Sequence, residues 1–200
     1  MTATPVHLPP LRGCVVLVPV KAFGAAKGRL APSLDADGRA ELARVMAARV
    51  LAAAGALPVA VVCDDPDVAR WAHEHGAMVL PEPGRGLNGA VEAGVARLSG
   101  AGASEIIVAH ADLPLARDLG RVAGFEGVTL VPDRGDNGTN VLCVPTGADF
   151  RFHYGPGSFI RHRDEAERLG LPWRVVRHPD LTLDVDVPAD IPAGLRSPPS

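Results

Sequence analysis

The chain has 200 residues, 47% of them hydrophobic, which is enough to bury the core of one ordinary domain. Its formal net charge of −3 excludes a broadly basic surface for nucleic acid. No apolar run reaches the roughly 18–20 residues that span a membrane, and the first residues lack the pattern of a secretory signal. We therefore expect one cytoplasmic domain over residues 1–200, with flexible tails at 1–12 and 196–200.

Strands alternate with helices in the first half of the chain. The continuous apolar run at 14–20 is typical of a strand covered on both faces, and helical spacing of apolar residues follows over 35–54. The alternation then continues, with strands predicted at 58–63, 77–80 and 105–112 and helices at 66–75 and 87–99. This order predicts an α/β fold with a mostly parallel sheet and helices on both faces.

The alternation loosens after residue 112. Strands are predicted at 128–133 and 139–145, joined by the turn sequence RGDNG. A helix at 158–169, a strand at 173–176 and a last strand in LTLDVDVPADI complete the pattern. The result is a mixed sheet. In such sheets, ligands bind beyond the carboxyl ends of the strands, so we expect the site near the loop after the first strand and near Asp112.

Three aspartates indicate a metal site. Asp184 and Asp186 alternate with valine in LDVDV, so on a strand both carboxylates face one side and repel each other unless a cation lies between them. Taken alone, this pattern also fits a solvated strand face. Asp112, however, follows the apolar run EIIVAHA at the expected ligand-binding edge. Three carboxylates form the oxygen-rich site that Mg²⁺ prefers, and we predict that these aspartates bind Mg²⁺.

The loop after the first strand contains both lysines of the chain, Lys21 and Lys27, together with Arg29. The other basic residues are eighteen arginines, so two lysines in one loop indicate that a compact ammonium group is needed there. A loop between a strand and a helix is a common phosphate-binding position, although no Walker A sequence occurs. A solvated basic loop is the alternative. We predict that Lys21, Lys27 and Arg29 bind phosphate groups of a ligand.

Two glycine-containing segments indicate further ligand contacts. GRGLNG, at 84–89, matches G-x-G-x-x-G but follows the third strand, so it is weak evidence for a dinucleotide. We interpret it as a loop that a nucleotide approaches closely, with Asn88 available to bond base or ribose. In YGPGSFIRH, Ser158 is predicted to cap a helix whose first N–H groups face an anion. His162, one helical turn further on, is interpreted as an ordinary residue on a helix face, with a role in binding as the alternative.

The cysteines Cys14, Cys63 and Cys143 lie far apart in apolar runs, without the spacing of metal ligands. We expect three buried core residues in a reducing compartment.

Taken together, these segments resemble a known family. VPVKAFGAAKGRLAPSL, R-x-E-L-A, GLN, ADLPL, LVPDRGDNGTNVL, YGPGSFIRH and LDVDVPADI occur in order between about residues 15 and 191. They resemble the guanylyltransferases of coenzyme F-420 biosynthesis. The first loop and ADLPL are shared with other nucleotidyltransferases, such as molybdenum-cofactor guanylyltransferases. PDR-x-x-x-GTN and GPGSF-x-x-H are more specific and carry the identification.

The resemblance implies a Rossmann-like nucleotidyltransferase fold with a mixed sheet. It also implies metal binding by the three aspartates and phosphate binding by the loop of Lys21, Lys27 and Arg29. The pocket for the acid substrate is implied at Thr139, Gly155 and Ser158. One position departs from the family, because Val187 replaces the threonine that commonly precedes proline. The departure removes a hydroxyl group from the vicinity of the metal ligands but no ligand.

We predict from this resemblance a Mg²⁺-dependent transfer of GMP from GTP to phosphoenolpyruvate, with release of pyrophosphate. Lys21 and Lys27 are then expected to bind the nucleotide, and Lys27 and Arg29 to act in catalysis. The same chemistry on 2-phospho-L-lactate or 3-phosphoglycerate is an alternative that the sequence leaves open. Alternatives of other classes are a dinucleotide-dependent oxidoreductase and a non-catalytic nucleotide-binding protein. The expected ligands are GTP and a three-carbon phospho-acid, with hand-off of the product to the next pathway enzyme.

Overall fold

A computed structural model describes residues 8–25, 27–82 and 84–195 of the chain. Within them, the strands form one seven-stranded sheet. The strands are β1 (Cys14–Pro19), β2 (Val59–Cys63), β3 (Met78–Pro81), β4 (Glu105–Ala109), β5 (Val128–Pro132), β6 (Thr139–Pro145) and β7 (Trp173–Val175). The helices are α1 (Ala36–Ala52), α2 (Pro66–Glu74), α3 (Gly86–Gly100), α4 (Ser158–Arg168) and α5 (Pro179–Thr182).

The strand order in the sheet is β3-β2-β1-β4-β6-β5-β7. β6 runs antiparallel to β4 and β5, and the other described strand pairs are parallel. The predicted mostly parallel, mixed sheet is therefore confirmed. Because β6 is reversed, its first residue, Thr139, lies at the same edge of the sheet as the last residues of β4.

Alternate residues of β1 enter two separate hydrophobic clusters. Val16 and Val18 pack on one face of the sheet with buried residues of α1 and α2. Val15 and Leu17 pack on the other face with buried residues of α3 and α4. A strand that is apolar on both sides forms because helices cover both faces, as the unbroken run of β-branched residues predicts.

The predicted terminal strand in LTLDVDVPADI is wrong. Pro179 begins the short helix α5, and residues 183–187 follow as an irregular segment. This segment lies against the loop after β4, where the Val185 N–H donates to the Asp112 carbonyl oxygen at 3.2 Å. Val185 is fully buried between the two more exposed aspartates, so the in-and-out alternation persists without a strand ladder.

The predicted flexible tails lie mostly outside the part of the chain that the structure describes. Residues 1–7 and 196–200 lie outside the described residues. Within the predicted flexible segment 1–12, Leu11 is buried and its N–H donates to the Ala101 carbonyl oxygen at 2.8 Å, so it packs on the end of α3. Across the described part of the chain, no helix is long and apolar enough to cross a membrane.

Candidate active site

A cavity of about 450 Å³ opens at the carboxyl ends of β1, β2 and β4, on the edge of the sheet where the sequence predicts ligand binding. The loop after β1 forms one wall, and Met46 and neighbouring alanines of α1 form another. Charged or polar residues in the lining are Lys21, Lys27, Arg29, Asp64, Glu82, His110, Asp112 and Asp186. The fold therefore brings the predicted phosphate-binding cations into one cavity with two of the three predicted metal ligands.

Lys27 connects the basic loop to the carboxylates. Its Nζ lies 2.6 Å from Oδ2 of Asp112 and 3.7 Å from Oδ1 of Asp186. On the open side of the cluster, Nη1 of the exposed Arg29 lies 3.4 Å from Oδ2 of Asp186. Lys27 adopts the left-handed conformation, with φ 58° and ψ 39°. That conformation costs a residue with a side chain about 1–2 kcal/mol, which the ion pair with Asp112 helps to offset.

A small apolar cluster fixes the segment that carries Asp184 and Asp186. Val185 packs with Leu30 from the basic loop and with Met46 from α1. At the far end of the segment, Asp190 Oδ2 accepts hydrogen bonds from the backbone N–H groups of residues 186 and 187 at 3.1 and 2.9 Å. The same packing therefore positions both the cations and the carboxylates.

The electrostatics of the cluster fit a divalent cation. Oδ1 of Asp112 is buried without a hydrogen-bond partner among the described residues. Burial alone would raise the pKa of Asp112, but the adjacent Lys27 ammonium holds it below its ordinary value. No described residue provides such a partner for Asp184, and burial together with the charges of Asp112 and Asp186 raises its pKa to about 6. The close ammonium group of Lys27 thus pairs with two of the three carboxylates, and carboxylate oxygens are the ligand type that Mg²⁺ prefers.

The raised pKa of Asp184 predicts a pH-dependent stability difference in metal-free protein. The folded state holds the Asp184 proton more tightly than the unfolded state, whose pKa is near 3.8. The contribution of this group to stability is therefore complete below about pH 4 and is lost as the pH rises through about 6. In EDTA, Asp184→Asn should melt progressively higher than the unmodified chain between pH 4 and 7. A Tm difference that stays constant over this range would contradict the coupling.

The predicted acid-binding residues Thr139 and Ser158 meet in a buried network with His162. His162 Nε2 accepts the backbone N–H of His153 at 2.9 Å, so Nδ1 carries the proton and donates to Thr139 Oγ1 at 3.0 Å. Burial lowers the pKa of His162 to about 3, which keeps the ring neutral at pH 7. Ser158 Oγ donates to the same Thr139 oxygen at 3.3 Å. The Thr139 oxygen thus accepts two bonds, and its own proton is left to donate elsewhere.

The prediction that Ser158 caps α4 is wrong. Gly157 is the capping residue, with φ 75°, a conformation that suits glycine, and Ser158 begins the helix. The backbone N–H groups of residues 157 and 159 donate to Asn137, and that of Ser158 donates to the Gly155 carbonyl oxygen. These N–H groups already have acceptors within the protein, so they do not form the open anion site that the sequence predicts. Gly155 adopts φ 119°, which favours glycine.

Asn88 holds two elements together in this structure. Its Nδ2 donates to the Tyr154 carbonyl oxygen at 3.3 Å, and its Oδ1 accepts the Tyr154 N–H at 2.7 Å. This pairing ties α3 to the loop before α4, and Asn88 is not part of the cavity lining. Its contact with a nucleotide therefore stays a prediction.

Two histidines to which the sequence analysis assigns no definite role lie near the site. His110 lines the cavity and packs against Tyr154 with ring centroids 5.0 Å apart. Burial lowers its pKa, and its Nε2 has no partner among the described residues. His162 lies four residues after Ser158, one helical turn away. That spacing was the available signal that the two side chains share a face of α4.

Comparisons with known proteins extend over most of the chain. Residues 14–193 match the family described as guanylyl transferase CofC like. A phosphoenolpyruvate guanylyltransferase of Rubrobacter xylanophilus is 40% identical over 185 residues, which cover 88% of this chain and 90% of the relative. The Sphaerobacter thermophilus protein of the same name is 35% identical over 186 residues, with the same coverage of both chains.

Among solved structures, a Desulfovibrio desulfuricans G20 protein assigned without proof as a nucleotide-diphospho-sugar transferase has a TM-score of 0.67 at 15% identity. The match covers 87% of this chain and 82% of that one. At this level of identity the likeness concerns the fold, and it confirms the predicted nucleotidyltransferase architecture.

Proposed function

We propose that this chain, which belongs to the CofC-like guanylyl transferase family, transfers GMP from GTP to phosphoenolpyruvate and releases pyrophosphate. The observation that carries the proposal is that Lys21, Lys27 and Arg29 line one cavity together with Asp112 and Asp186. Phosphate-binding cations beside a carboxylate cluster are what nucleotidyl transfer needs, because the reaction brings together two groups of phosphates. The names of the relatives support phosphoenolpyruvate as the acceptor.

In the proposed reaction, a phosphate oxygen of phosphoenolpyruvate attacks the α-phosphorus of GTP. The bond from the α-phosphorus to the oxygen shared with the β-phosphate breaks, and that oxygen leaves with pyrophosphate. No protein base is required, because the attacking phosphate is already ionised at neutral pH. The task of the protein is therefore to position the reactants and neutralise their charge, which we assign to Lys27 and Arg29 with Lys21 holding the nucleotide.

We propose that Asp112, Asp184 and Asp186 bind Mg²⁺. A bound Mg²⁺ would neutralise phosphate charge and help to orient the reacting groups. The orphaned Oδ1 of Asp112 and the raised pKa of Asp184 support this assignment. The first is a buried oxygen without a hydrogen-bond partner among the described residues, and the second reflects burial beside two like charges. Lys27 supplies part of that charge in the metal-free chain.

We assign the acid substrate to the region of Thr139, Gly155 and Ser158. Thr139 begins β6 at the sheet edge that also carries Asp112, and its oxygen already accepts two hydrogen bonds. The proton of its hydroxyl group is therefore available to an anionic ligand. In this arrangement His162 is a positioning residue, because it acts on the substrate through Thr139.

Two substitutions of His162 separate its two hydrogen bonds. In His162→Gln, the amide can still accept the His153 N–H but no longer reaches Thr139. In His162→Asn, it can still donate to Thr139 but leaves the His153 N–H unpaired. We expect His162→Gln to raise the KM for phosphoenolpyruvate about three- to tenfold, the value of one hydrogen bond, with the KM for GTP unchanged. We expect His162→Asn to keep both KM values near those of the unmodified chain and to lower Tm. Equal KM changes for both substrates would contradict the positioning role.

The function itself is tested by crossing four nucleoside triphosphates with three phospho-acids in the presence of Mg²⁺ and measuring pyrophosphate. We expect release with GTP and phosphoenolpyruvate, and much less with ATP, CTP or UTP. Faster pyrophosphate release with 2-phospho-L-lactate or 3-phosphoglycerate would identify that acid as the acceptor and leave the proposed guanylyl transfer unchanged. GTP binding without pyrophosphate from any acid would reject the enzyme. Tight NAD(P) binding in its place would favour the oxidoreductase alternative.

A further inference from the structure

At the end of the sheet opposite the active site, three potential metal ligands lie together. Cys14 and Glu105 are register partners at the first residues of β1 and β4. Cys143 pairs with Ile107, two residues along β4 from Glu105, so all three side chains leave the same face of the sheet. One donor atom from each, the two sulfurs and a carboxylate oxygen, lies within 4.8 Å of the others.

We propose that Cys14, Glu105 and Cys143 form a binding site for a thiophilic divalent ion of the zinc class. Two thiolates and a carboxylate are ligands that zinc takes, and soft sulfur ligands disfavour Mg²⁺. The sequence predicts three separate buried cysteines because their spacing is not that of metal ligands. The pairing of β1 and β6 with β4 brings Cys14 and Cys143 together beside Glu105.

The surroundings of the cluster allow an ion to enter. Cys14 and Glu105 are half-buried, and a cavity of about 470 Å³ is lined by Glu105 and residues of the loop before β5. A water molecule from that side can serve as the fourth ligand of a tetrahedral ion. Glu105 already accepts the Gly124 N–H at 3.1 and 3.2 Å, which fixes its carboxylate without using all of its acceptor capacity.

Without an ion, the thiol of Cys143 is held in its protonated form. A hydrogen bond with Cys14, burial and the charge of Glu105 all raise the pKa of Cys143. A divalent cation reverses this situation, because it deprotonates the thiols that bind it. The three ligands come from adjacent strands β1, β4 and β6, so a bound ion would hold the centre of the sheet together. This role does not depend on the reaction proposed above.

The test uses the reduced full-length chain with Mg²⁺ in excess, so that carboxylate sites are occupied. We expect added Co²⁺ to give thiolate-to-cobalt charge-transfer absorption that saturates at one equivalent and disappears when Zn²⁺ is added. The carboxylates of the active site cannot produce this band. Its absence in the unmodified chain would overturn the proposal whatever the variants show.

Variants then identify the ligands. Cys14→Ser and Cys143→Ser should each abolish the band, and Glu105→Gln should weaken Co²⁺ binding about tenfold or more. Cys63→Ser is the matched control and should keep the full band. Zn²⁺ should raise Tm in the unmodified chain and in Cys63→Ser but not in Cys14→Ser. A band that survives in Cys14→Ser, or that disappears in Cys63→Ser, would contradict the assignment.

Discussion

Replacing Asp184 or Asp186 by asparagine is expected to reduce pyrophosphate release about a thousandfold or more. Asparagine keeps the size of the side chain but removes the charge that we assign to metal binding. Metal ions contribute several kcal/mol of charge stabilisation, and about 4 kcal/mol corresponds to a thousandfold in rate. The measurement is the initial rate of pyrophosphate release at saturating GTP and phosphoenolpyruvate.

The fold should survive these substitutions. The packing of the segment is carried by the buried Val185, whereas Asp186 is exposed and Asp184 is half-buried. Far-ultraviolet circular dichroism should therefore be unchanged, and in EDTA at pH 7 Asp184→Asn should melt higher than the unmodified chain. Glu167→Gln, an exposed carboxylate-to-amide change on α4, is the control and should keep the normal rate. Near-normal turnover in either aspartate variant would remove the metal role assigned to that residue.

Lys27→Met is expected to lower kcat about a hundred- to a thousandfold, the usual effect of losing one preorganised donor to developing charge. Lys27→Arg should not restore the rate. The lysine side chain is only 11% exposed on a left-handed residue, and a planar guanidinium does not replace a compact ammonium group there. Steady-state kinetics at saturating substrates and Mg²⁺ measure this effect.

Although kcat should fall in Lys27→Met, the affinity of this variant for a divalent metal ion should rise. The ammonium group 2.6 Å from Asp112 competes with a cation for the same carboxylates. Its removal takes away a repulsion of about 1–4 kcal/mol, the value for two unit charges about 4 Å apart. Mn²⁺, titrated as a substitute for Mg²⁺ in the absence of nucleotide, should bind about tenfold tighter or more. Lys21→Met should leave Mn²⁺ affinity unchanged, because Lys21 has no ion pair among the described residues. Weaker Mn²⁺ binding in Lys27→Met would show that the lysine does not occupy the metal position.

The sheet could be predicted because the local sequence of its central strands is itself typical of buried strands. β1, β2 and β4 are short apolar runs between helical patterns, and such runs are buried wherever the chain places them. The position of the cavity followed from the same alternation, because parallel strands collect their carboxyl ends at one edge. Lys27 and Asp112 could therefore be assigned to one site, although 85 residues separate them.

Contacts that depend on long-range packing could not be predicted. LDVDV has the alternation of a strand, but Val185 alternates because it packs on Leu30 and Met46, not because the segment joins the sheet. The sequence predicts that Asn88 is available to a ligand, but in the structure its side-chain amide pairs with the backbone of Tyr154 in the loop before α4. The hydrogen-bond partners of His162 are Thr139 and the backbone of His153, and no local sequence pattern specifies either of them.

The central claim is that the aspartates of this cavity bind the metal required for guanylyl transfer. The most direct measurement is the rate of pyrophosphate release from GTP and phosphoenolpyruvate by the unmodified chain as Mg²⁺ is varied against EDTA. We predict no release in EDTA and a saturable increase with Mg²⁺, with the saturation lost in Asp186→Asn. Release in EDTA at the rate seen with Mg²⁺ would contradict the account.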